Sequence, residues 1–462
     1  MKVKVLSRSA EEHTRQRSND IHKLQRNLDP TLHPFEKARE YTRALNAVKV
    51  ERMFAKPFVG ALSGHVDGVY CMTKHPRQLD WLVSGGGDGD LRLWSLSEQK
   101  TLWATVGHKA MVTGVSSFLE GSRFLSCSND RTVKIWDPTA DSDDYTTTSS
   151  SSSTLTATST SIKTPVATYT GKGAFSGISH HRSDNVFATS GSEIDIWNHD
   201  RAEPVQTLNW GVDTINTVKF NQTETNIIAS TGSDRTIILY DLRTSQPVTK
   251  LILAMRTNAI AWNPMEAFNF VAANEDHNVY GFDMRKMDKA QNILKDHVSA
   301  VMSVDYSPTG EEIVTGGYDR TVRLFNARQG HSRDIYHTNR MQRVFSVLYT
   351  MDNKYVLSGS DDGNVRLWKA RASEKMGVRD YRERAHLEYS EKLKDKFAAV
   401  PEIRRISHHR NVPKAIKTAT KKKSIMINAR KVKEENVRKH TKSENLAERI
   451  PERKKPVVGI KK

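Results

Sequence analysis

The chain has 462 residues, of which 37% are hydrophobic and 27% charged, with a formal net charge of +18. No run approaches the ~18 apolar residues that a membrane-spanning helix needs, and the opening MKVKVLSRSAEEH lacks the apolar core of a secretory signal. Two cysteines, Cys71 and Cys127, make a disulfide framework an unsuitable reading and point to an intracellular compartment.

The charge is unevenly spread. Residues 371–462 hold 28 Lys and Arg against 12 Asp and Glu, residues 1–50 hold 11 against 6, and residues 51–370 hold 32 against 35. A near-neutral body therefore carries cationic ends.

Residues 1–50 read as an extension rather than a domain, with turn-forming breaks at Asp29-Pro30 and His33-Pro34. Ala38, Tyr41, Leu45 and Val48 then fall at helical spacing over 35–48. Two readings stand: a helix against the rim of the following domain, or a partner-binding helix.

From residue 51 to 370 one phrase recurs: a small polar run, an Asp, alternating apolar residues and a closing aromatic, as in SCSNDRTVKIWD at 126–137. Its aromatic anchors are Trp94, Trp136, Trp197, Tyr240, Phe282, Phe325 and Trp368, spaced 42, 61, 43, 42, 43 and 43 residues apart. A period of roughly 40–45 residues marks a β-propeller blade, a four-stranded sheet that buries its faces only against its neighbours. Seven anchors predict an all-β fold, a seven-bladed propeller, as one domain. The pairs Leu91/Leu93, Val133/Ile135, Ile237/Leu239, Val322/Leu324 and Val365/Leu367 alternate as a packed strand requires.

The third repeat, SGSEIDIWN at 190–198, lacks the turn Asp. The long interval holds DSDDYTTTSSSSSTLTATSTS at 141–161, a tract unable to bury apolar surface and read as a disordered loop. Residues 52–62 occupy the place of an outermost strand, and no matching strand follows Trp368. The N-terminal segment is therefore predicted to complete the seventh blade and close the ring.

The phrase resembles that of WD-repeat proteins, in which a His, a Ser or Thr, an Asp and the Trp bond one another inside a blade. The resemblance implies two complete structural sets, His108–Ser128–Asp130–Trp136 and His337–Ser360–Asp362–Trp368. The first blade has His65, Asp88 and Trp94 but Gly86 in place of the hydroxyl, and the sixth has His297 and Asp319 but Phe325 in place of the Trp. Recurrence with the fold makes these staples rather than catalytic triads.

After Trp368, apolar residues at Val378, Tyr381, Ala385, Tyr389, Leu393 and Phe397 predict an amphipathic helix over 376–400, ended by Pro401. A basic segment follows at 401–433, read as an extended chain. The remainder, 434–462, is read as a basic, largely extended tail.

The flanks resemble a particular family. DPTLHPFEKAREYTRALNAVKVERMFAKPFVGALSGHVDGV at 29–69 is similar to the N-terminal region of the Sof family of nucleolar WD-repeat proteins. Residues 373–416 resemble that family's Sof-like domain, with its E-R-x-x-x-x-Y-x-x-x-L-K-x-K-F core at 383–397 and H-R-x-x-P-K at 409–414. The resemblance implies a structural, non-catalytic component of the small-subunit processome. That nucleolar particle is organised with the U-three small nucleolar RNA; in it pre-rRNA is folded and cleaved toward the RNA of the 40S subunit. The expected domains are 1–50 extension, 51–370 propeller, 371–433 helical and basic Sof-like segment and 434–462 basic, largely extended tail.

Candidate RNA contacts are Arg404, Arg405, His408, His409, Arg410, Lys414, Lys417, Lys421, Lys422, Lys423, Arg430 and Lys431, cations with few acids between them. Nuclear import is a compatible reading of Lys421–Lys423 and Arg453–Lys455. Expected partners are pre-rRNA, small nucleolar RNA and other processome proteins; no cofactor, metal or small-molecule substrate is implied. The pairs His180-His181 and His408-His409 lack neighbouring ligands at metal spacing. GKGAFSG at 171–177 lacks the Lys-Ser/Thr end of a P-loop, and no metalloprotease or nucleophile-elbow motif occurs. An alternative function rests on Tyr240-Asp241-Leu242-Arg243 and Phe282-Asp283-Met284-Arg285. These resemble the W-D-x-R boxes by which some WD-repeat proteins join cullin-RING ubiquitin ligases as substrate receptors, with Asp241, Arg243, Asp283 and Arg285 as the contacts.

Overall fold

Each aromatic anchor closes the third strand of a four-stranded antiparallel sheet, and there are seven such sheets. In a computed structural model, which describes residues 30–118, 121–138, 163–211, 213–442 and 448–461, the blades span 69–106, 112–170, 177–208, 215–253, 257–294, 301–336 and 344–369. The Ser/Thr tract at 141–161 lies outside the described residues. Trp94, Trp136, Trp197, Tyr240, Phe282, Phe325 and Trp368 are all almost fully buried. The alternation read from the sequence is the alternation of the strands: in Thr132–Trp136, Val133 and Ile135 are buried while Thr132 and Lys134 are half-exposed.

The last blade contributes only three strands of its own. Phe58–Ser63, at the other end of the propeller sequence, pairs antiparallel with Asn364–Lys369, matching Phe58 to Trp368 and Leu62 to Val365. Leu62 is buried, and the Phe58 ring meets Trp368 edge-on at 5.5 Å. The ring is closed as expected, which removes the long free edge an open array would leave.

The polar staples exist, with their hydroxyl two residues earlier than the sequence suggests. In the second blade Trp136 Nε1 donates to Ser126 Oγ at 2.8 Å, not to Ser128. Ser126 Oγ lies 2.7 Å from His108 Nε2, and His108 Nδ1 lies 3.0 Å from Asp130. Ser128 instead donates to the Ala110 carbonyl and accepts from the Asp130 amide. The reason is register: Phe124 stands opposite Trp136, so the indole reaches one pleat along its face, to Ser126. Ser128, a further pleat away, falls at the turn.

The same shift corrects two other blades. In the seventh, Trp368 donates to Ser358 at 2.8 Å; Ser360 accepts from the Gln342 amide, and Asp362 is paired with Arg366. In this blade the indole's hydroxyl partner is thus Ser358 rather than Ser360, and Asp362 is ion-paired with Arg366. The first blade does not lack its hydroxyl, because Ser84 bonds both Trp94 Nε1 and His65 Nε2 at 2.7 Å. Its carboxylate partner is Asp90, 3.5 Å from His65 Nδ1, rather than Asp88. Burial, the leading cause, lowers the His65 pKa to about 4, so this imidazole is neutral at physiological pH. In the sixth blade His297 bridges Thr315 and Asp319 at 2.7 and 2.9 Å without a Trp.

The flanks form a second compact unit, residues 1–57 with 371–411, described here only over its described residues. Its helices are α1 (Glu36–Met53), α2 (Tyr381–Lys396) and α3 (Pro401–Ser407). Ala44 and Val48 from α1, Leu393 from α2 and Ile403 from α3 make its core, with Tyr41, Leu45, Tyr389 and Phe397 around them. Lys396 reaches buried Glu40 at 2.6 Å, Lys394 reaches Glu51 at 2.9 Å, and Tyr41 donates to Glu402 at 2.6 Å. The N-terminal helix thus packs on the C-terminal flank, a partner the sequence did not single out. Helix α2 is shorter than the predicted 376–400, because Gly377 adopts φ +102 and Asp380 keeps extended backbone as N-cap. Pro401 opens α3 instead of merely ending a helix, since a first-turn proline loses no hydrogen bond.

Residues 412–462 group with the propeller. Here the expectation of an extended basic chain is corrected: Lys414–His440 is a continuous helix, α4, of 27 residues. Its sequence, KAIKTATKKKSIMINARKVKEENVRKH, contains neither Gly nor Pro and is rich in Ala, Lys, Arg, Met and Ile, most of them strong helix formers. The tail beyond it is not wholly extended and free either. Val457–Lys461 pairs antiparallel with Gln246–Leu253, giving the fourth blade a fifth strand.

Ser126→Ala removes the atom that both His108 and Trp136 use, and should cost about 2–3 kcal/mol in chemical denaturation of the full chain. Ser128→Ala should cost about 1 kcal/mol or less. Equal losses would contradict the assignment of the staple to Ser126.

Candidate nucleic-acid interface

Twelve candidate cations and histidines fall in two units. Arg404 and Arg405 stand exposed on α3, followed by exposed His408 and His409 and half-buried Arg410. Arg410 Nη1 donates to the Ser407 carbonyl at 2.5 Å, so this guanidinium caps the end of α3. The other seven are on α4.

The periodicity of α4 sorts its residues into three faces. Ile416, Lys423 and Ile427 recur at i, i+7 and i+11, one stripe of a 3.6-residue helix. Ile416 is buried. Lys423 is half-buried and donates to the His297 carbonyl at 2.8 Å, on the loop entering the sixth blade. Burial lowers its pKa, while Asp276 and Asp296 oppose the shift. Lys423 therefore anchors the helix to the propeller, a role the sequence did not distinguish from its neighbours in the Lys421–Lys423 run. A second stripe holds Lys417, Lys421 and Lys431, all exposed; Lys431 Nζ is 4.0 Å from Glu452. The third carries exposed aliphatic side chains. The helical form spaces the cations 1.5 Å apart per residue along the axis, a rigid ladder instead of a chain that folds on contact.

The tail runs back along the propeller after α4. Lys295 meets Glu452 at 2.6 Å, the Ala290 amide donates to the Arg453 carbonyl, and the Ala254 amide to that of Pro456.

The two W-D-x-R-like boxes share one geometry. Arg243 folds back on Asp241, with Nη2 at 3.1 Å, and Arg285 on Asp283, with Nη2 at 2.9 Å. Each guanidinium holds its Asp below the usual carboxylate range. Arg285 also lies over the Phe268 ring at 4.2 Å and lines a groove of 1240 Å³ with Met265, Phe268, Tyr306, Arg328 and Arg453. Met265 is largely exposed there.

Among the described residues one group brings three metal-type donors together, His65, Asp88 and Asp90. Arg92 Nε already donates to Asp90 at 2.6 Å and Ser84 occupies His65 Nε2, so the set belongs to the blade staple. His180 does find a partner that the reading of adjacent histidines missed: His199, in the turn after Ile194–Asn198, with the two Nε2 atoms 3.1 Å apart. Burial lowers the His180 pKa to about 4.

Comparison with known proteins matches the Sof1-like domain over residues 370–457 and WD-repeat units over 56–95, 99–137, 202–241, 288–326 and 330–369. Across the whole length, the chain is 50% identical to Protein SOF1 of Saccharomyces cerevisiae, covering 99% of this chain and 95% of that protein. The chain belongs to the Sof1-like family of WD-repeat proteins. It is also 47% identical to the DDB1- and CUL4-associated factor 13 of Xenopus laevis over all of both chains, and 45% identical to that of Dictyostelium discoideum over 90% of each. The WD40 β-propeller domain of Doa1 superposes with a TM-score of 0.55 at 20% identity, covering 68% of this chain and 96% of that one, a likeness of fold. The Sof1-like match extends through α4 and into the closing strand, further than the 371–433 segment read from motifs. The WD-unit matches leave out the third and fifth blades as units; the third is the one whose phrase is degenerate.

Lys423→Met should release α4 from the propeller, raising amide exchange across 414–430 about tenfold while the blades keep their protection. Unchanged exchange in α4 would contradict the anchoring role.

Proposed function

We propose that this Sof1-like protein is a non-catalytic assembly factor of the small-subunit processome, acting in the nucleolus to support processing of pre-rRNA toward the 40S subunit. The observation that carries the reading is the joining of both Sof-type flanks to one propeller, with relatives matched end to end. The flanks are more specific than the blades, since a propeller hosts many functions. The polar His, Ser and Asp sets lie inside blades and recur with them, which suits staples better than a reaction centre.

In this reading the propeller holds protein partners, and RNA phosphates meet Arg404 and Arg405 on α3 and Lys417, Lys421 and Lys431 on α4. A helical cation ladder binds phosphates chiefly through counterion release.

A second reading is favoured by two observations. The name of the vertebrate relatives links them to DDB1 and CUL4, and here Arg285, paired with Asp283, lines a groove. In this second reading Asp241, Arg243, Asp283 and Arg285 would make the contacts of a cullin-RING substrate receptor. RNase-resistant co-purification with a cullin adaptor, lost in Arg243→Ala/Arg285→Ala, is its test.

Depleting the protein should block early pre-rRNA cleavages and lower the yield of small subunits, read by hybridisation to precursor RNAs. Normal early cleavage with normal yield would overturn the assembly role. Lys417→Gln/Lys421→Gln/Lys431→Gln should weaken binding of a single-stranded pre-rRNA fragment. It should also flatten the slope of log K against log salt by about 2. An unaltered slope would remove α4 from the RNA interface.

A further inference from the structure

The third face of α4 is not accounted for by RNA. Ile425, Ala429 and Val432 recur at i, i+4 and i+7, and Met426 and Val437 lie roughly a quarter-turn further round, beyond Lys422 and Lys433. Ile425 is 67% exposed, Met426 59%, Val432 55% and Val437 58%. An exposed leucine or valine alone means little, but a contiguous apolar stripe about two turns long marks an interaction surface. It lies away from Ile416 and Lys423, which face the propeller, and directly beside the cation stripe, since Lys421 precedes Ile425 by one turn. Phosphates would satisfy the lysines and leave these aliphatic side chains in water.

Charge says what kind of molecule covers them. Helix α4 carries ten Lys and Arg against Glu434 and Glu435 alone, and the cations Lys422 and Lys433 lie within the apolar arc. Another α4 would be repelled, and so would residues 1–29 of this chain, which hold seven cations against four acids. We infer that the Ile425–Ala429–Val432 face of α4 docks an acidic protein segment, one whose apolar ridge seats on the stripe and whose carboxylates meet Lys422 and Lys433. A helix laid in a groove by i, i+4, i+7 anchors is a common mode of such recognition. The inference rests on the assembly-factor reading, because it supplies that scaffold with a protein contact distinct from its RNA contact.

The test uses the full chain with a photo-crosslinking phenylalanine derivative at Val432, or at Lys417 on the cation stripe, expressed in cells depleted of the wild-type protein. Adducts are identified by mass spectrometry. The inference predicts that position 432 crosslinks to an acidic, apolar-ridged protein segment, while position 417 crosslinks to RNA. Adducts at 432 with RNA only, with another copy of this chain, or with nothing would overturn it.

A purified-component arm uses a synthetic 20-residue helix bearing Leu at i, i+4 and i+7 among Glu residues. Ile425→Gln/Val432→Gln, which retains helix propensity, should weaken its binding at least about tenfold. Equal binding by wild type and variant, or by wild type to the same peptide with Ala for Leu, would overturn the inference. Pre-rRNA processing is read separately, so failure of the docking face and failure of the assembly role give different results.

Discussion

Everything in this molecule depends on the pairing of Phe58–Ser63 with Asn364–Lys369. A blade alone leaves two apolar faces in water, and an open row of seven would leave unsatisfied edges at both ends. Taking the outer strand of the last blade from the start of the propeller turns a row into a ring with no special end. The cost is the closure of a loop some three hundred residues long, an entropic term that grows only slowly with length. In return Leu62 and the Phe58–Trp368 edge contact join the first and last blades in one apolar cluster that includes Val69, Leu82 and Trp94.

The same pairing explains why the flanks build a unit of their own. The residues just before Phe58 and those just after Ala370 leave the ring at one place, and the Lys56 amide donates to the Ala372 carbonyl at 3.1 Å. Helices distant in sequence then meet at Ala44, Val48, Leu393 and Ile403, and Lys396 finds Glu40 across some 350 residues of chain. The Sof-like character of the protein is a product of this junction: a two-ended domain whose halves meet through the ring. The basic helix α4 leaves that unit and returns to the propeller, held there by the Lys423 ammonium and by the fifth strand of the fourth blade.

The ring itself was legible because its signal is periodic: one misread blade does not disturb six others, and Trp197 keeps step even where the turn Asp is missing. The staples were legible in kind but not in register. Ser126 and Ser128 share a strand face, and only the pairing of Phe124 with Trp136 tells which one the indole reaches. The flanking unit was hidden because Ala44 and Leu393 carry no mark of each other in sequence. Helix α4 was misread for a different reason: a run of lysines suggests a solvated chain, yet lysine is a good helix former and no Gly or Pro interrupts 414–440. Lys423 looked like its neighbours because its distinction, a carbonyl on the sixth blade, is wholly tertiary.

The central claim is that one strand closes the ring and thereby assembles the flanking helices. Amide hydrogen exchange of the full chain carrying Leu62→Pro, which removes a buried side chain and a ladder amide together, tests it directly. The account predicts that exchange rises in concert over 364–369 and over the helices at 36–53, 381–396 and 401–407. Full protection of those helices beside an unzipped Asn364–Lys369 strand would show that the flanking unit stands without the ring.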